Sequence, residues 1–162
     1  MRRRADPVHL ATYVGLQHAA SRTLADSFRQ VADGHADEPD VHTLCHTLAA
    51  MSDAHVDRLA PVADRYGEQR EDEPERLHAD GLGETRSGGV GLLRDLQDLY
   101  VLASFVDITW TVLGQAAQGT RDHELLDVVT SCETDTRRQL KWLNTRIKQA
   151  APQALIASGA VT

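Results

Sequence analysis

The sequence has little of what marks a secreted or a membrane protein. Only two cysteines, Cys45 and Cys132, occur in 162 residues, too few for a disulfide framework in a chain of this size. The chain has no run of 18 apolar residues, so we expect no helix that spans a membrane. The arginines at positions 2–4 are not followed by the hydrophobic stretch of a signal peptide. These features together predict a cytoplasmic protein.

Basic charge and catalytic motifs are also scarce. Lys and Arg number 17 against 24 Asp and Glu, which gives a net charge of −7. Because contact with a phosphate backbone needs a basic face, we expect no nucleic-acid partner. The sequence contains no phosphate-binding loop, nucleophile elbow, Cys-x-x-Cys pair or His-Glu-x-x-His motif. The common hydrolase, kinase and redox motifs therefore give no reason to predict an enzyme, and the question of catalysis stays open.

The sequence does contain strong helical periodicity and hardly any strand-like alternation. Apolar residues recur at intervals of three and four in four blocks, which predict helices at about 8–32, 40–66, 90–118 and 121–150. Pro7 suits the start of the first helix, and Pro152 is expected to end the last one. Segment 67–89 is acidic and then glycine-rich, and residues 151–162 form an apolar tail. We predict a single domain over residues 1–162.

The lengths of the connections predict how the helices are arranged. The links after the first and third predicted helices are short, so each of those helices should lie antiparallel to the next one. The connection over 67–89 is long for a compact bundle and can cross its full length. The sequence therefore predicts an all-α four-helix bundle made of two antiparallel helix hairpins joined by a long crossover.

Four polar residues lie on apolar stripes of the predicted helices, one on each helix. They are Gln17, His55, Asp107 and Glu133. With ~1.5 Å of rise per residue and the crossover arrangement, they lie roughly 13–18 Å above the end where the first helix begins. A simple up-down-up-down bundle would instead separate His55 from Asp107 by about two helical turns. The crossover arrangement thus predicts one polar layer at mid-bundle.

These features resemble those of the ferritin-like superfamily, over most of the chain and mainly in architecture and residue placement. Members with a di-iron site carry a Glu on each of two helices and Glu-x-x-His on each of the other two. The chain has Gln17 and Asp107 at the two single positions. In place of the two four-residue motifs it has Ser-Asp-Ala-His ending at His55 and Glu-Thr-Asp-Thr beginning at Glu133. The resemblance implies a ferritin-like bundle of the uncharacterised, bacterial kind, without a complete di-iron centre.

The remaining ligand types suggest a smaller metal site. His55, Asp107 and Glu133 together offer one imidazole and two carboxylates, a set that suits a single Fe, Mn or Zn ion. Gln17 is an additional residue of the same layer. An ordinary structural role is the alternative for each residue: Asp107 could pair with an arginine or with His55, and Glu133 with Arg137 four residues later.

Several functions stay open at this point. The first is a non-catalytic binding or assembly protein with a degenerate metal site, acting as a homodimer or with a protein partner. The second is a mononuclear metal protein whose redox or oxygen chemistry is implied by the resemblance alone. A third is a binder of small apolar molecules with Tyr100 and Trp110 in its pocket. His42 and His46 lie one turn apart on one helix face and could chelate a metal, although an exposed, titrating face is the simpler interpretation.

Overall fold

The computed structural model describes residues 8–67 and 80–157, and within them the chain forms four helices and no strands. The helices are α1 (Val8–Gly34), α2 (Pro39–Tyr66), α3 (Gly88–Thr120) and α4 (His123–Leu155). This confirms an all-α fold with four helices, and the predicted bounds lie within a few residues at most ends. Residues 68–79 of the predicted crossover and 158–162 of the predicted tail lie outside the described residues.

The helix ends follow local chemistry that the sequence carries. Pro39 occupies the first turn of α2, where its missing N–H needs no partner. Gly67 ends that helix with a φ of 73°, a left-handed conformation that glycine adopts without strain. Asp122 precedes α4, and its side chain accepts a hydrogen bond from the backbone N–H of Leu125.

The prediction for the end of the last helix is wrong. We expected Pro152 to stop it, but α4 continues to Leu155. Proline removes its own N–H donor and its ring crowds the preceding turn, but the Pro152 carbonyl still accepts a hydrogen bond from the N–H of Ile156. Ala150 and Ala154 are buried against the bundle, so packing holds the last turn in helical form. Residues 151–155 therefore belong to α4 and not to a tail.

Contacts between helices define their directions. In α1 and α3, Gln17 bonds to Val106 while the end of α1 lies near the start of α3, so these two helices are antiparallel. In α2 and α4, Arg65 pairs with Asp122 and Asp40 pairs with Arg146, which makes this pair antiparallel as well. The start of α3 consequently lies at the opposite end of the bundle from the end of α2. The connection from Gly67 to Gly88 joins those two ends.

The α3 helix is the most apolar of the four. By length and composition it alone among the described helices could cross a membrane. Its inward side chains pack into the hydrophobic core, as in Leu96, Leu99 and Trp110, which are completely buried. A second set of apolar side chains points outward, and we call it the outer face of α3: Tyr100, Val101, Ile108 and Val112.

Candidate functional site

A polar layer crosses the middle of the bundle. His55 of α2 is almost completely buried, and its Nε2 lies 3.1 Å from the Asp135 carboxylate of α4. Its ring stands edge-on to Trp110 of α3, whose indole N–H donates to Thr136 Oγ1 at 3.1 Å. Burial lowers the pKa of His55, and the bond to Asp135 only partly opposes this. The geometry therefore holds the imidazole in a defined orientation, and burial favours its neutral form.

Two buried glutamines extend this layer. The side-chain N–H of Gln17 donates to the Val106 carbonyl at 2.8 Å. The side-chain N–H₂ of Gln139 donates to the Leu48 carbonyl at 3.0 Å and to Ser52 Oγ at 2.8 Å. The Oε1 atoms of both glutamines accept no hydrogen bond from any described residue. Gln17 thus acts in this structure as a hydrogen-bonding residue between α1 and α3.

Asp107 and Glu133 lie at the edge of the layer and not in its centre. Asp107 is half-buried, and its Oδ1 accepts no hydrogen bond within the described part of the chain. Burial raises the pKa of this carboxyl group, the charge of Arg137 lowers it, and the charge of Glu133 raises it. Glu133 itself forms an ion pair with Arg137. Arg137 therefore pairs with Glu133, which was the alternative considered for that residue, and its charge also favours the ionised form of Asp107.

The predicted ligands share a level of the bundle but not a common centre. His55 bonds to Asp135, two residues beyond Glu133, and Asp107 follows the residue that Gln17 contacts. Among residues 8–67 and 80–157, the set of three ligating groups whose donor atoms all lie within 4.8 Å of one another consists of Asp33, His42 and His46. A metal site at His55, Asp107 and Glu133 stays a prediction that needs these side chains to move.

A second buried polar cluster, which sequence reasoning missed, lies at the end of the bundle where α3 begins. His35 Nε2 lies 2.7 Å from Asp95 Oδ2, and both side chains are almost fully buried. Asp95 also accepts hydrogen bonds from the backbone N–H of Arg86 at 2.9 Å and from its guanidinium at 2.8 Å. The signal was present, since Asp95 lies among leucines of the third helix.

The α1–α2 hairpin carries the third polar group. His42 Nδ1 lies 2.9 Å from the Ala32 carbonyl, and His46 Nε2 lies 2.9 Å from Asp33 Oδ1. The two imidazole rings are 4.9 Å apart between centroids and meet edge to face. The earlier interpretation of these histidines as a plain exposed face is incomplete, because both have specific partners.

Two grooves in the described part of the chain lie on either side of the outer face of α3. One of about 390 Å³ is lined by Leu82, Val101 and Phe105 among others. Tyr100 borders a second of about 250 Å³ on the α4 side. Trp110 lines a third groove of about 140 Å³. Tyr100 and Trp110, which we considered as walls of one pocket, thus belong to separate grooves.

Comparison of the chain with protein-family models, with curated proteins and with solved structures gave no match.

Proposed function

We propose that this chain is a ferritin-like, non-catalytic assembly protein that forms a homodimer through the outer face of α3. The helix directions support the ferritin-like arrangement, because α1 lies antiparallel to α3 and α2 antiparallel to α4. The polar layer at mid-bundle supports a non-catalytic role, because most of its donors are used inside the protein. The observation that carries the proposal is the exposed apolar surface of α3.

Charge makes this face the preferred meeting surface for two copies. Within residues 99–120, Asp107 is the single charged residue, and it is half-buried. Each copy has a net charge of −7, so two copies repel each other. They associate most easily through the surface on which each copy carries the least charge. Depletion of charge is also the compositional signal of an interface core.

The extent and exposure of the face fit a dimer interface. Val101 is 70% exposed and Ile108 is 58% exposed, and these large apolar side chains lie two turns apart on the same side of α3. Residues 99–120 extend over ~33 Å, and an α-helix with its side chains is about 10–12 Å wide. The face therefore supplies roughly half of the ~800 Å² that each partner contributes to a standard interface, and surface beside it supplies the rest.

The experiment is a measurement of molar mass in solution by light scattering after size exclusion, on the full chain without a tag. We expect the unaltered protein to be a dimer, and the double variant Val101→Glu, Ile108→Glu to be a monomer with unchanged helix content. Ala50→Glu is the matched control, because Ala50 is an exposed apolar residue on α2, away from the face. This control should remain a dimer.

Two results would overturn the proposal. One is a monomeric unaltered protein, and the other is a dimer that survives both glutamates. Sedimentation with neutral lipid vesicles is the companion measurement, because α3 is apolar enough to enter a bilayer. Binding to vesicles that the two glutamates abolish, together with a monomeric state in solution, would assign the face to a membrane instead.

The second candidate function is that of a mononuclear metal protein with Fe, Mn or Zn at His55, Asp107 and Glu133. One observation favours it: the buried Oδ1 of Asp107 has no hydrogen-bond partner among the described residues, and a buried carboxylate oxygen is costly without a cation or a donor. Elemental analysis of untagged protein produced with Fe or Mn would test it. About one metal per chain, lost in Asp107→Ala but retained in His46→Ala, would support this candidate over the structural role.

A further inference from the structure

The start of α2 and the end of α1 bring three metal-ligating side chains to one place on the surface. Asp33 lies in the last turn of α1, and His42 and His46 lie in the first turns of α2. One ligand atom of each residue lies within 4.8 Å of those of the other two. The side chains of His46 and Asp33 are 42% and 68% exposed, so an ion can reach them from solvent.

The helix itself sets the spacing of the two histidines. Residues four apart lie on the same face of an α-helix, one turn above the other. The fold then adds Asp33 from the neighbouring helix, opposite His46. Two imidazoles and one carboxylate make a ligand set typical of a zinc site that keeps one position open for water.

The orientation of His42 is the most specific feature of the group. Its Nδ1 faces the Ala32 carbonyl at 2.9 Å, and because a carbonyl only accepts, this nitrogen carries the proton. In the neutral ring the lone pair is then on Nε2, which is the nitrogen that a cation would use. Metal-ligating histidines commonly donate their second ring N–H to a backbone carbonyl in this way, which fixes both the tautomer and the direction of the ring.

We propose that Asp33, His42 and His46 bind one divalent ion of the zinc class. With bonds of about 2.0–2.1 Å in a tetrahedral shell, neighbouring ligand atoms lie roughly 3.4 Å apart, so the three groups need to close by little more than 1 Å. The ion replaces the hydrogen bond between His46 and Asp33 with two coordinate bonds. It ties the end of α1 to the start of α2 and stabilises this hairpin. The site is independent of the outer face of α3.

Calorimetric titration of untagged protein with zinc chloride tests the proposal. We expect one ion per chain, and a binding constant at least tenfold weaker for His46→Ala and for Asp33→Asn. Matched controls are Asp37→Asn, an exposed carboxylate in the same hairpin, and His123→Ala, an exposed histidine on α4. Both controls should bind zinc as the unaltered protein does. Zinc should also raise the Tm of the unaltered protein, and His46→Ala should lose this rise.

Cobalt provides a second measurement that depends on geometry. Replacement of zinc by Co²⁺ should give the visible absorption of a four-coordinate ion, and this signal should disappear in His46→Ala. Equal zinc binding by His46→Ala and the unaltered protein overturns the proposal. So does equal weakening by His123→Ala, because the ion would then bind to surface histidines without preference. Circular dichroism of each variant shows that the helices remain intact.

Discussion

Replacement of Asp95 by alanine should destabilise the fold far more than any exposed carboxylate does. Asp95 is completely buried where α3 begins, and it accepts hydrogen bonds from His35 and from the backbone and side chain of Arg86. Through these contacts one carboxylate joins the end of α1, the connection before α3, and α3 itself. Alanine leaves the buried His35 ring without its partner at that site.

The magnitude follows from what the substitution leaves unpaired. A buried polar group that loses its hydrogen-bond partner costs about 1–3 kcal/mol, because it stays desolvated. For a domain of this size each kcal/mol lowers the Tm by about 2–4 °C. We therefore expect Asp95→Ala to lower the Tm by roughly 2–12 °C. The same reasoning predicts non-additive losses for His35→Ala and Asp95→Ala, since both remove one interaction.

Urea unfolding followed by circular dichroism measures the free energy, and Asp98→Ala is the matched control. Asp98 lies one turn further along α3 and also pairs with Arg86, but half of its side chain is exposed. Its loss should change the free energy of unfolding by less than about 1 kcal/mol. The reasoning is refuted if Asp95→Ala and Asp98→Ala cost the same, or if the losses from His35→Ala and Asp95→Ala simply add.

Three further predictions concern packing, pH and thiol reactivity. A Cβ at Gly34 would lie 2.4 Å from the Thr85 hydroxyl oxygen. Gly34→Ala should therefore lower the free energy of unfolding in urea by about 1–3 kcal/mol. An unchanged free energy would show that Thr85 can move away. Burial lowers the pKa of His55 below the unfolded value of 6.5, so the folded chain binds fewer protons there than the unfolded chain does. The free energy of unfolding should therefore fall as the pH drops below about 6.5. His55→Gln should flatten this part of the profile of stability against pH, and an unchanged profile would contradict the assignment. Burial raises the pKa of Cys45 to about 12 and that of Cys132 to about 11, so neither thiol should react with a disulfide reagent before unfolding.

Loop lengths and helical period were enough to predict the four helices, because these signals act locally and repeatedly along the chain. Short links between the hairpin helices and one long connection limited the arrangement to few choices. The end of α4 could not be predicted in this way. Pro152 is a local signal for termination, but the burial of Ala150 and Ala154 depends on contacts with the rest of the bundle.

The candidate site was harder to predict because an error of one residue in the stripe changes which side chains point inward. We placed Asp107 on an apolar stripe of the third helix, whereas its neighbour Val106 is the fully buried residue. A step of one residue rotates a side chain by about 100° around the helix. Asp107 therefore lies at the edge of the layer, and Asp135 rather than Glu133 reaches His55. The predicted level of each residue depended on the rise per residue and on the crossover arrangement, and not on the direction in which its side chain points.

The buried polar contacts join helices that do not follow each other in the sequence, and this placement indicates a structural role for them. Gln17–Val106 and His35–Asp95 join α1 and its end to α3, and His55–Asp135 and Gln139–Ser52 join α2 to α4. These helix pairs share no short loop, so the connections do not set their register.

If only apolar side chains met in such a pair, one helix could slip by a turn along the other at little cost. With the polar contacts present, the same slip leaves each buried donor unpaired, at a cost of about 1–3 kcal/mol per donor. The polar contacts therefore select one register and one pairing of helices. The two surfaces that we propose for binding, the outer face of α3 and the hairpin that holds His42 and His46, both lie outside these register-setting contacts.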